Sequence, residues 1–222
     1  MQEPSVRGSI LRGVVEDLLR QCDLGHVDPA RIETELEARD LAILQEKIAD
    51  GAWYPATTYN RVLELLCRTV GGGGRIFYAQ RGAANAQRLM DAGFYSELAL
   101  VERLPQELAV FEADEEARFE RMAETFRSKL AHIVSLADTI YSMGRWSVVE
   151  DPDTARRLCI EVEEAADYTE PMRHAIEGFF NQCVRNVPGR EPIMRLFRAE
   201  RLAPDHIRIR MTMDLRELLA RV

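Results

Sequence analysis

The chain has 222 residues, of which 46% are hydrophobic and 30% are charged. This is the composition of a globular protein with enough chain to bury a core, and it excludes a disordered chain. A formal net charge of −8 excludes a generally basic protein that coats nucleic acid.

The sequence indicates a cytoplasmic protein without a membrane span. It begins without the apolar core and small-residue cleavage site of a signal peptide, and no apolar run is long enough to cross a bilayer. Four cysteines (Cys22, Cys67, Cys159 and Cys183) are scattered without a CxxC pair. We therefore expect reduced thiols rather than a disulfide framework.

Helical periodicity runs through the first two-thirds of the chain. It begins with the apolar stripe Ile10, Val14 and Leu18, and four glycines at 71–74 separate two later helices. The longest pattern predicts one helix over 114–143, which ends before Gly144. Its apolar stripe must pack against a partner, either within the fold or across a dimer.

After Gly144 the hydrophobic period changes from about 3.6 to 2, which favours strands. Short strands are predicted at 146–149, 158–162, 193–202 and 206–213, with a helix that begins near Thr169 between the second and third. The predicted class is α+β, in which the helical residues 1–144 pack on a small antiparallel ββαββ sheet within 145–222. We expect residues 1–222 to form one domain.

No catalytic or metal-binding signature is present. The sequence lacks GxSxG and HExxH motifs, and the glycines at 71–74 lack the GK[ST] ending of a P-loop. None of the four histidines is spaced with another ligand as in a metal site. We predict no catalytic residue and no metal, and Glu163 and His174 are the candidates if the chain is an enzyme.

Aromatic residues cluster around the predicted boundary between helices and sheet. Such side chains provide large apolar area for a small ligand. The ligand-pocket candidates are Trp53, Tyr54, Tyr59, Phe126, Trp146, Phe179 and Phe180.

Arginine is concentrated near the C-terminus. Residues 185–213 contain 7 arginines and 3 acidic residues, in a chain that is acidic elsewhere. Arg208 and Arg210 share one face of the last predicted strand, and a hairpin in register would bring Arg195 near them. Because the guanidinium fork suits carboxylates and phosphates, these three residues are predicted to bind an anion or an acidic partner, whereas nucleic acid is not expected.

Two segments resemble a paralogous family of myxobacteria, namely Trp53-Tyr54-Pro55 with the helix that follows, and the run 168–214. The order of elements is also similar to the haem–nitric-oxide-binding sensors, the vinyl-reductase-type ligand-binding domains and the TRAPP-like transport-tethering subunits. The resemblance implies helices packed on a sheet, frequent dimerisation and a hydrophobic pocket between the two layers. The Tyr-x-Ser-x-Arg motif of the haem sensors is absent and no histidine matches their haem ligand, so we expect no cofactor.

These observations together favour a non-enzymatic regulatory or sensor module, which forms a homodimer. It would bind a small apolar or amphipathic ligand, or a partner protein, at the helix–sheet boundary. The alternatives are a structural homodimer that uses the 114–143 helix and an enzyme with an unrecognised site.

Overall fold

The computed structural model describes residues 3–91, 115–154, 156–184 and 195–220. The helices of these ranges are α1 (Gly8–Asp23), α2 (Pro29–Glu35), α3 (Ala38–Gln45), α4 (Ala56–Val70), α5 (Arg75–Asp91), α6 (Glu115–Ser135), α7 (Ala137–Ile140), α8 (Glu170–Cys183) and α9 (Leu215–Ala220). The strands are β1 (Ser5–Arg7), β2 (Trp53–Pro55), β3 (Arg145–Glu150), β4 (Leu158–Glu163), β5 (Phe197–Ala203) and β6 (His206–Met211). No helix in the described ranges is both long and apolar enough to cross a bilayer.

The first helix follows the predicted stripe, since Ile10, Val14 and Leu18 are all buried on one face of α1. Strand β1 lies before α1 in the chain and β2 lies after α3. The two strands pair as an antiparallel ribbon, with Val6 opposite Tyr54. This ribbon is not predicted by the sequence pattern. Strands of three residues are too short to show a period of two.

The predicted helix over 114–143 is interrupted. Helix α6 ends at Ser135, and the short helix α7 begins at Ala137, with Leu136 between them. The stripe residues Phe126 and Leu130 are completely buried, and α6 packs against β3 and α9 of the same chain. The stripe is therefore used within the fold, which removes the basis for a dimer interface along it.

The predicted α+β class is confirmed. Strands β3, β4, β6 and β5 form, in that order, an antiparallel sheet, and α8 lies between β4 and β5 in sequence. Ile160 is paired with Ile209 on the face that α8 covers. The predicted strand at 193–202 begins at Phe197 in the structure, and residues 193–194 lie outside the described ranges.

Helix α8 is held at very short distance from α5. A Cβ added to Gly82 would stand 1.7 Å from the carbonyl oxygen of Ala175, and one added to Gly178 would stand 1.8 Å from that of Ala79. Only glycine permits this approach of two helix backbones. The crossing fixes α8 above the sheet and thereby positions the aromatic residues that α8 carries.

Candidate functional site

An apolar cavity of about 30 Å³ lies where the helices meet the sheet. We call it the aromatic cavity. Residues from α1, α6, α7, β3 and α8 line it, namely Ile10, Ile133, Leu136, Ala137, Ile140, Tyr141, Trp146, Ile176, Phe179 and Phe180.

Ring contacts define the shape of this cavity. The Tyr141 ring stacks on Trp146 with centroids 6.0 Å apart and planes inclined by 18°. Trp146 reaches Phe180 with centroids 6.4 Å apart, and Phe179 meets Phe180 edge to face at 5.8 Å. Stacked and edge-to-face contacts of this kind are favourable, so the rings form one continuous aromatic wall.

Tyr168 anchors this wall from behind. Trp146 Nε1 donates to Tyr168 Oη at 3.2 Å, and that hydroxyl donates to the carbonyl oxygen of Met143 at 2.8 Å. Gly144, with φ of 77°, makes room for the Tyr168 ring, because an added Cβ would lie 2.9 Å from its Cε2 atom. Burial raises the pKa of Tyr168 far above its ordinary value, so the hydroxyl remains a donor.

Two tyrosine hydroxyls near the cavity have no hydrogen-bond partner among the described residues, those of Tyr59 and Tyr141. Burial raises the pKa of Tyr59 to about 12 and that of Tyr141 well above its ordinary value. Both phenols therefore stay protonated. Water or a ligand can accept a hydrogen bond from each hydroxyl.

A polar groove of about 470 Å³ lies beside the aromatic cavity, between α1, α4 and α5. Ile10 lines both spaces and separates them, and Tyr59 also lines the groove. Arg88 donates to the carbonyl oxygen of Ser9 at 2.9 Å, but its closest carboxylate, Glu16, is 3.9 Å away. Burial lowers the pKa of Arg88, as expected for a guanidinium group with weak pairing.

The structure brings only some of the predicted pocket residues together. Trp146, Phe179 and Phe180 line the aromatic cavity, whereas Tyr59 lines the polar groove.

The remaining candidates lie elsewhere. Trp53 lies under the Arg7 guanidinium at 3.9 Å, and Tyr54 Oη accepts from the backbone N–H of Ala49 at 3.0 Å. Phe126 is fully buried in the core and does not line the cavity.

Tyr141 is the aromatic lining residue that sequence reasoning missed, together with the aliphatic lining residues. With Arg145 it has the Tyr and Arg spacing of the Tyr-x-Ser-x-Arg motif, but Met143 stands at the serine position. Arg145 points away from the cavity, since it pairs with Glu163 at 3.0 Å and Glu164 at 3.2 Å. A search for the motif that allows any residue type at the serine position would have found Tyr141.

The three arginine candidates are not brought together. Arg195 pairs with Glu177 of α8 at 2.8 Å, on the helix-covered face of the sheet. Arg208 pairs with Glu161 at 2.6 Å and Arg210 with Asp153 at 2.7 Å, both on the opposite face. The prediction that Arg195 lies near Arg208 and Arg210 is therefore wrong. Successive side chains of an extended segment point to opposite faces, so position 195 has the direction of Phe197, whereas Arg198 has the direction of Arg210.

The two enzyme candidates also lie apart in the fold. Glu163 is exposed at the end of β4, and His174 lines a groove between α5 and α8, where burial lowers its pKa. Within the described ranges no three histidine, cysteine or acidic side chains are grouped to hold a metal ion.

Comparison with known proteins identifies the fold. No family profile matches the sequence, and no curated protein matches it. An Fe(II) unliganded H-NOX protein from K. algicida superposes with a TM-score of 0.52 at 12% identity, over 92% of this chain and 95% of that one. A mutant H-NOX protein from T. tengcongensis gives 0.51 at 10% identity, over 94% and 98%.

The chain thus shares the fold of the H-NOX proteins, the haem–nitric-oxide-binding group among the expected resemblances. The resemblance to a myxobacterial family finds no support in these comparisons. The comparisons contradict the prediction of no cofactor, because two of the structures that share this fold are described in an Fe(II) state.

The aromatic cavity does not fit a histidine-ligated haem in the arrangement seen here. Its volume of about 30 Å³ is far below the roughly 300–1,000 Å³ of ordinary ligand pockets. None of the four histidines lines it: His26 and His132 are exposed, His174 lies in the α5–α8 groove, and His206 pairs with Glu161. Haem is therefore a ligand to be tested directly.

Proposed function

We propose that this chain is a sensor module that binds a small apolar or amphipathic molecule in the aromatic cavity and does not catalyse a reaction. The observation that carries the proposal is an apolar space walled by Trp146, Phe179 and Phe180, with the partnerless hydroxyl of Tyr141 at its edge. The H-NOX likeness supports the proposal, since those proteins are described by their iron and ligand state.

The two neighbouring spaces favour an amphipathic ligand. Its apolar part would contact the rings of the aromatic cavity, and its polar end would reach Tyr59 and Arg88 in the groove. A cavity of about 30 Å³ holds little more than one water molecule, so a larger ligand must displace Ile10 and join the two spaces. Ile10 is thus the gate between the apolar and polar parts of the site.

Helix α8 would transmit the binding event. Phe179 and Phe180 both line the cavity, and the opposite contacts of α8 reach α5 and β5. If α8 has two positions and a ligand binds more tightly to one of them, binding shifts the population toward that position. The size of the shift is set by the difference between the two affinities. This coupling requires no chemical step.

The test uses Trp146 as a reporter in a Trp53→Phe background, which removes the other tryptophan. We expect dodecanoate, as an amphipathic probe, to change Trp146 fluorescence with saturation. Titration with hemin, followed by its Soret band, tests haem in the same protein. Native mass spectrometry of the purified chain shows any molecule that it retains.

A matched pair of variants on neighbouring helical turns locates the binding. Ala137→Leu fills the cavity that Ala137 lines, whereas Ala131→Leu adds the same volume at an exposed position of α6. We expect the first variant to weaken dodecanoate binding about tenfold, in line with lost burial of roughly two CH₂ groups, and the second to leave it unchanged. Equal affinities in both variants would place the ligand elsewhere and refute the proposal.

A further inference from the structure

An open cleft of about 350 Å³ lies on the other face of the sheet from the aromatic cavity. We call it the arginine cleft. Its lining residues are Arg157, Arg198, Glu200, Arg210, Met211 and Thr212. The proposed sensor function uses none of these residues.

The sheet register places two cations directly opposite each other. Arg198 of β5 is the cross-strand partner of Arg210 of β6. Like charges at directly opposed positions destabilise a sheet, and a residue choice of this kind needs a compensating gain. Arg157 adds a third guanidinium group to the same cleft.

The cleft contains hydrogen-bond donors that the described residues leave without acceptors. Arg157 Nε and Arg210 Nε are both buried and have no hydrogen-bond partner. Arg210 is neutralised, since its nitrogens lie 2.7 Å from Asp153, 3.4 Å from Asp151 and, through Nε, 3.4 Å from Glu200, although the Nε contact does not have hydrogen-bond geometry. Arg157 and Arg198, in contrast, have no carboxylate within ion-pair distance among the described residues.

We propose that the arginine cleft binds a phosphate-type oxyanion. Arg157 and Arg198 are two guanidinium groups without a carboxylate partner among the described residues, and two such groups match a phosphate dianion better than a carboxylate. The oxyanion accepts the two buried Nε–H groups and separates the opposed charges of Arg198 and Arg210. The volume of the cleft leaves room for a small organic group on the phosphate.

Calorimetric titration with inorganic phosphate, in a buffer without other oxyanions, tests the proposal. We expect saturable binding at one site, and weaker binding of acetate. Arg157→Gln and Arg198→Gln should each weaken phosphate binding about tenfold or more, because each removes a charge-assisted hydrogen bond. Arg145→Gln is the matched control, since Arg145 is an exposed strand arginine outside the cleft, and it should change the affinity less than about twofold.

Thermal unfolding with and without phosphate separates a ligand site from a structural role. Because Arg198 has no acidic partner to lose, Arg198→Gln should fold at least as stably as the natural chain without phosphate, yet lose the phosphate-induced rise in Tm. Absence of saturable binding overturns the proposal. So does equal weakening by Arg145→Gln, which would mean general surface attraction only. Failure here leaves the dodecanoate result unaffected, because the aromatic cavity and the arginine cleft lie on opposite faces of the sheet.

Discussion

The two faces of the four-stranded sheet differ in how completely their polar groups are satisfied. On the helix-covered face, Trp146 Nε1 and the Tyr168 hydroxyl form a chain of hydrogen bonds that ends on a backbone carbonyl. On the opposite face, Arg157 Nε and Arg210 Nε are buried without acceptors. The difference teaches that packing and hydrogen bonds explain the wall on one face, whereas Arg157 and Arg198 on the other face have no carboxylate partner among the described residues.

The largest expected effect comes from the helix-covered face. Phe180→Ala removes a ring that is 4% exposed and contacts Trp146, Phe179 and Phe197, so we expect a loss of about 3–5 kcal/mol in the free energy of unfolding. Urea denaturation measures it.

Leu202→Ala is the control, because Leu202 is 45% exposed on β5 and should change stability by less than about 0.5 kcal/mol. If both variants lost the same stability, the helix-covered face would not be the tightly packed one.

A second pair of variants isolates the packing behind the aromatic wall. Gly144→Ala combines a positive φ with a Cβ 2.9 Å from Tyr168, so we expect a loss of about 2–4 kcal/mol. Gly25→Ala has nearly the same φ, 73°, but its Cβ meets nothing within 4 Å, and it should lose only about 1–2 kcal/mol. Thermal unfolding gives both values, and a negligible difference between them would show that Tyr168 yields to the added methyl group.

A third prediction concerns the hydrogen bonds of the same wall. Tyr168→Phe leaves Trp146 Nε1 and the carbonyl oxygen of Met143 without their shared partner, which should cost about 1–3 kcal/mol. Tyr54→Phe removes a hydroxyl that only accepts from the exposed N–H of Ala49, and water can replace it there. We therefore expect a smaller loss in the second variant by chemical denaturation, and the reverse order would contradict the network.

The sequence predicts the parts of the fold that depend on local periodicity. The buried stripe of α1 and the alternating burial along β6 follow directly from residue order, whereas the first five residues of β4 are all buried. The interruption at Leu136 is not predictable in this way, because the apolar stripe continues across it into α7.

The candidate site was predictable only where neighbours in sequence are neighbours in space. Phe179 and Phe180 lie on one helix, and Trp146 is the second residue of β3. Ile10 enters the cavity from the other end of the chain, and no local pattern distinguishes it from the rest of its stripe. In the same way, the pairing of Arg198 with Arg210 depends on strand register, which alternation alone leaves undetermined.

The smallest expected effect tests the opposite face. Arg198→Glu replaces a like-charged cross-strand pair with an ion pair to Arg210, which should raise the free energy of unfolding by about 0.2–1 kcal/mol in the absence of phosphate. Arg198→Gln removes the repulsion without adding the attraction and should fall between the natural chain and Arg198→Glu.

Because both groups lie near the surface, the gain should shrink as salt is added. A loss of stability in Arg198→Glu under these conditions would mean that Arg198 already has a native acceptor. The polar groups of the opposite face would then have partners within the chain, as those of the helix-covered face do. A gain, together with lost phosphate affinity, means that Arg198 is kept for a ligand at the expense of the sheet.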